Sequence, residues 1–151
     1  MSIVLQAFWA FGACLANGIV FQLRRGKLVY AALGGALGWT VFACSAFFLE
    51  SEIIRYFVAT LVLALYSEMM ARWKHTPATV FLIVALLPLV PGGGLYQTME
   101  LFIQGETARG VTQGLHTLAI AGALAIGIVL VSSSMRLLAQ NAYRKHMSRS
   151  K

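Results

Sequence analysis

Charge is what this chain has least of. Only 11% of its 151 residues are charged, and the acidic ones are five glutamates: Glu50, Glu52, Glu68, Glu100 and Glu106. A soluble domain carries about 25% charged and 45–50% apolar residues. Here 59% are hydrophobic and the mean hydropathy is +0.76. Such a chain cannot cover its apolar surface in water, which excludes a soluble module and leaves an all-α integral membrane protein. Cysteine is scarce as well. Cys14 and Cys44 lie inside apolar runs with no Cys or His partner near in sequence, so neither belongs to a metal motif and each reads as a small apolar side chain. The sequence offers no nucleophile–base pair, no metal-ligand cluster and no nucleotide-binding loop. An enzyme and an ATPase are set aside, no cofactor and no metal are expected, and a proton or ion gradient would drive any transport.

What the chain does have is long apolar runs. Residues 3–23, 28–49, 53–71, 77–104 and 115–135 each come near the ~20 residues that cross a hydrocarbon core. The connections are short, so consecutive spans are expected to be antiparallel neighbours. Residues 1–143 are expected to form a single five-helix transmembrane domain, followed by a basic tail at 144–151. The first run has no basic residue ahead of it, which a cleaved signal peptide needs. It is read as a retained helix.

Charge placement orients these spans. With the N-terminus outside, the cytoplasmic side collects Arg24, Arg25, Lys27, Arg72, Lys74, Arg136, Arg144, Lys145, Arg149 and Lys151, leaving only Arg55 and Arg109 outside. Basic residues in short loops favour the cytoplasm. The reading is a multi-pass protein of the cell membrane with its N-terminus outside and its C-terminus in the cytoplasm. A re-entrant fourth segment would send the basic tail outside, so that segment is expected to cross. The net charge of +7 is then an orientation bias and gives no reason to expect nucleic acid; the tail either touches anionic lipid or is solvated. Trp9 and Tyr56 toward the outside, and Tyr30 and Trp73 toward the inside, fit interfacial belts. Glu68 and Arg72 stand four apart, a helical pairing distance. His75 and His146 lie in basic, cytoplasmic surroundings, and His116 opens the fifth span as an interfacial side chain or one that titrates with external pH.

The fourth run is interrupted between Pro88 and Gly94, where two prolines and three consecutive glycines stand in the stretch Leu87-Pro88-Leu89-Val90-Pro91-Gly92-Gly93-Gly94. Proline removes a backbone donor and clashes with the preceding turn; glycine weakens a helix by about 1 kcal/mol relative to alanine. Broken backbone at membrane depth belongs where protein or a water-filled cavity covers it, and broken helices of this kind build substrate sites in transporters. The competing reading is a packing kink. A helix restarting at Gly94 or Leu95 would point unpaired N–H groups into the membrane and favour a carboxylate. Gln97, Glu100 and Gln104 share a face beyond the break, with Tyr96 four before Glu100, and Gln6 and Asn17 lie on one face of the first span. Intramembrane ionisable groups are functional candidates, although Glu100 falls ~34 Å from Pro77 along a straight helix, near the outer surface. Small residues recur at four-residue steps: Gly12 and Ala16; Gly34 and Gly38; Ala119, Ala123 and Gly127. They point to a tight bundle and to a surface left for another subunit.

The unit Pro91-Gly92-x-x-x-Tyr96, preceded by Leu86-Leu87-Pro88-Leu89-Val90 and followed by Met99, resembles the small membrane subunit of the threonine/serine exporter family, which carries a Pro-Gly-x-x-x-Tyr signature late in a five-helix half. The resemblance implies export of threonine and serine, or of dicarboxylates in related two-subunit systems, together with a larger membrane subunit of the same family. Onto this chain it carries Pro91, Gly92 and Tyr96. Backbone reasoning adds Gly93 and Gly94, and polarity adds Glu100 and Asn17, as expected substrate-binding residues. The alternative class is a non-transporting membrane scaffold or assembly subunit.

Overall fold

The computed structural model describes residues 2–149, and the side chains of that stretch except Arg25 and residues 139–149. Among the described residues the chain is helical, with no strand: α1 (Ile3–Val20), α2 (Arg25–Ser45), α3 (Glu52–Trp73), α4 (Ala78–Leu86), a 3-10 turn (Leu87–Leu89), α5 (Gly92–Ile103) and α6 (Thr107–Arg149). Four helices are long and apolar enough to cross a membrane. The pair α4–α5, bent by 48° at the turn between them, makes a fifth span if it is counted as one. This is an all-α membrane protein with a broken fourth segment.

The bundle is held by small side chains at helix crossings. α1 packs on α2, α2 on α3 and α4, and α3 on α4 and α6. One core cluster joins Cys14, Ala31, Ala32, Ala71, Phe81 and Val84; the other joins Ala59, Leu63, Ala85, Leu89 and Leu124. Outward faces are apolar and exposed, as at Val4, Val20, Phe48 and Ile103, which suits helices whose solvent is lipid. Between such helices close van der Waals contact supplies the attraction that water would otherwise drive. The glycine steps of α2 are spent inside this bundle. A methyl on Gly34 would meet Tyr66 and Ala85, one on Gly35 would overlap the Cys14 sulfur, and one on Gly38 would touch Leu63 and Leu89. The expectation that small-residue steps leave a face for another subunit therefore fails for α2.

Several local features differ from the expectation. α6 begins at Thr107 and continues to Arg149 as one helix of 43 residues, because polarity ends a membrane run without ending a helix. The basic side chains of the tail, Arg144, Lys145, Arg149 and Lys151, lie outside the described residues, as does that of His146. Arg72 does not pair with Glu68; its Nη2 donates to the Met135 carbonyl of α6 at 3.0 Å. The turn from α5 into α6 is closed by Gly105 at φ +80, with the Glu106 amide donating to Leu101 O and the Gly105 amide to Phe102 O. That left-handed helix end favours glycine, and it folds α5 back along α6.

Candidate functional site

The break begins with two missing donors. Pro88 cannot bond the Val84 carbonyl and Pro91 cannot bond the Leu87 carbonyl. Both acceptors are satisfied otherwise. The Leu87 amide and the Cys14 thiol (3.3 Å) donate to Val84 O, and the Val90 amide donates to Leu87 O at 3.3 Å. Cys14 is therefore more than an apolar filler: it repairs the broken ladder from a neighbouring helix.

The glycines act differently from the expectation. The irregular backbone is confined to Leu87–Pro91, and Gly92, Gly93 and Gly94 form the first turn of α5. The helix restarts at Gly92, two or three residues before the Gly94 or Leu95 that the sequence indicated. Close approach explains one of the three: a Cβ on Gly94 would stand 2.6 Å from Thr117 Oγ1 of α6, whereas Gly92 and Gly93 face open space. The Gly92 amide donates to Val90 O, while the amides of Gly93 and Gly94 find no backbone acceptor among the described residues. Pro91 caps this terminus and has no side-chain donor or acceptor to offer.

These amides border a cleft of about 560 Å³. Its lining takes Trp39 from α2, Glu52 and Tyr56 from α3, Gly93, Gly94 and Gln97 from α5, and Gln113, His116, Thr117 and Ile120 from α6, with Pro88, Val90 and Pro91 from the break. His116 Nε2 lies 3.7 Å from Glu52 Oε2, an ion pair when the imidazole is protonated. Gln113 Nε2 donates to Gln97 Oε1 at 3.3 Å, tying α6 to α5, and Thr117 Oγ1 donates to Gln113 O. Trp39, Phe42 and Tyr56 stack successively, and Arg55 lies over the Phe42 ring at 5.5 Å. Among the described residues no Lys or Arg lines the cleft. A second, apolar cavity of about 320 Å³ is lined by Gln6, Trp9, Ala10, Ala13, Trp39 and Pro88. Trp39 and Pro88 belong to both, and Trp39 Nε1 donates to Gln6 Oε1 across α1 and α2.

The expected site residues are not all gathered here. Pro91, Gly93 and Gly94 line the cleft, and Gly92 adjoins it at the break. Tyr96 is 69% exposed and does not line it. Glu100 is exposed and accepts from Nε2 of Gln104, the residue that caps the end of α5. Asn17 donates to Ala13 O within α1 and also lies outside the cleft. The sequence reading missed Glu52, Tyr56, Trp39, Gln113 and Thr117, and left His116 undecided. Gln113, His116 and Thr117 recur at i, i+3 and i+4, one face of a helix, and that spacing was the available signal.

A helical bundle with a broken span and a polar cleft at the break is the architecture of a multi-pass membrane transporter. The family model described as Threonine/Serine exporter, ThrE, matches residues 6–134. The chain belongs to the threonine/serine exporter family. No curated protein and no solved structure matches it.

Proposed function

We propose that this protein is the small membrane half of a two-component secondary exporter of threonine and serine, with the cleft at the break as its substrate site. The observation that carries this is the pairing of unlike polar groups across one cavity. Unpaired amides at the start of α5 favour a carboxylate, and Glu52 in the same lining, from α3, favours an ammonium group. A zwitterionic amino acid presents both, and the hydroxyl of threonine or serine would find Gln97, Gln113 and Thr117. A dicarboxylate would bring a second negative charge toward Glu52 with no lysine or arginine among the described residues of the lining to receive it, so export of dicarboxylates is the less favoured reading.

The two-component part rests on the family resemblance and on α5, which packs chiefly on α6 and has no buried residue. A larger membrane subunit would cover that face and close the cleft. The N-terminus is placed outside the cell membrane and the tail in the cytoplasm on the asymmetry of basic residues.

The test is efflux from loaded cells expressing this chain with and without the membrane protein it co-purifies with, normalised to protein in the membrane. Threonine and serine efflux should rise with the pair and fall to background without it. Efflux of succinate-like dicarboxylates alone would move the substrate to the alternative, and no efflux of either class would leave a scaffold.

A further inference from the structure

The cleft holds an acid–base pair whose members come from different helices. Glu52 on α3 and His116 on α6 stand 3.7 Å apart, and their side chains are 42% and 41% exposed, so both can be reached from the cleft. The polar and aromatic groups that share the cleft lining with the imidazole are few. α3 contributes Glu52 and Tyr56, α5 contributes the neutral Gln97, α2 contributes Trp39, and α6 itself contributes Gln113 and Thr117. The nearest further cation of α3, Arg55, is turned onto the Phe42 ring and does not line the cleft. Among the described residues, Glu52 is therefore the only carboxylate in the lining that a cation in this cleft can use.

We propose that Glu52 serves two rival cations: the His116 imidazolium when the cleft is empty, and the ammonium group of the amino acid when it is filled. This rests on the exporter reading above. The exchange balances without any further reactant. An imidazolium–carboxylate pair and a free ammonium group become an ammonium–carboxylate pair, a neutral imidazole and one proton released to water; the only bond broken is the imidazolium N–H. One carboxylate cannot neutralise two cations held at ion-pair distance, because they repel each other. Protonation of His116 and occupation by substrate are thus coupled negatively, and the coupling is reciprocal. Mutual exclusion of proton and substrate at one group is what an exchanger requires in order to trade one for the other across a membrane.

The sign follows from the populations. Added acid favours the imidazolium, strengthens the rival and weakens substrate binding; removing the proton frees Glu52 for the ammonium group. A merely structural pair, stapling α3 to α6, would alter stability in variants and release no proton on binding.

The experiment uses the purified protein, with its co-purifying membrane partner, in weakly buffered detergent between pH 5 and 8. Radiolabelled threonine reports binding and a pH-indicating dye reports protons. The wild type should release up to one proton per threonine bound, with affinity falling by about tenfold from the upper to the lower end of that window, within the usual range of coupling between sites. His116→Gln should bind threonine without releasing a proton and without losing affinity at low pH. His116→Lys, which keeps a permanent cation beside Glu52 and so preserves the helix contact, should bind weakly at every pH and also release none. Glu52→Gln should lose threonine binding throughout. Proton release by His116→Gln equal to that of the wild type overturns the proposal, as does wild-type affinity in Glu52→Gln. Threonine binding by the wild type with no proton release overturns it while leaving the exporter reading standing; failure of the wild type to bind threonine or serine at any pH overturns both.

Discussion

Single residues decide how closely these helices approach. Gly35 and Gly12 show the contrast. A methyl added to Gly35 runs into the Cys14 sulfur, with the Ala85 carbonyl close behind at 3.3 Å, whereas one added to Gly12 meets nothing within 4 Å. Cys14 cannot easily yield, because it is fully buried and its thiol donates to the Val84 carbonyl, which Pro88 cannot bond. Gly35→Ala is therefore expected to destabilise the bundle by about 1–3 kcal/mol, the usual cost of overpacking. Gly12→Ala should be neutral or stabilising by up to about 1 kcal/mol through helix propensity. Thermal unfolding of the two variants in the same detergent checks the order; equal midpoints would show that the α1–α2 crossing is slack at Gly35. The same logic applies at Gly94, whose missing side chain lets α5 reach Thr117.

Among the elements, the broken pair α4–α5 separates what sequence could tell from what it could not. Pro88 and Pro91 announced an interruption because a missing donor is a property of the residue itself. The three glycines misled, since their freedom suits an irregular backbone as well as a helix that comes close to another. For Gly94 the position of Thr117, on a helix far along the chain, supplies the close approach; Gly92 and Gly93 face open space. Glu52 was legible as an acidic residue in an outer loop, but its value as a partner depends on His116, and no local period links the two. Conversely, Glu100 and Tyr96 looked functional because polar groups in an apolar segment are rare; the fold turns them away from the cleft within this chain. A testable difference follows for the first turn of α5. Gly93→Leu adds a side chain where there is open space at the cleft wall, so it should abolish efflux while leaving insertion and expression intact. Gly92→Leu, next to the cleft but outside its lining, should reduce efflux several-fold less. Efflux measured per molecule in the membrane distinguishes them, and equal activity of Gly93→Leu and the parent chain would remove the substrate from this cleft.

At the scale of the whole molecule, the fold constrains topology independently of charge. α3 and α6 run in the same direction: Glu52 lies beside His116 at one end, and Arg72 beside Met135 at the other. Two spans can be parallel neighbours only if the segment between them crosses the membrane once more. That makes α4 and α5 together a single crossing, bent at the break, and it is the arrangement the basic residues require if the tail is to stay with Arg24, Lys27 and Lys74 on one side. A re-entrant α4–α5 pair would have made α3 and α6 antiparallel. The two arguments share no observation, since one uses contacts and the other counts charges. They predict that a cysteine introduced at Arg109, in the first turn of α6, reacts with a membrane-impermeant thiol reagent added to intact cells, in a background lacking Cys14 and Cys44. A cysteine at Lys27, near the start of α2, should react only after the membrane is opened. Labelling of both positions from outside would break the link between fold and orientation. Labelling of Lys27 alone would keep the five crossings but invert them, placing the Glu52–His116 cleft toward the cytoplasm and making it the entry side for substrate.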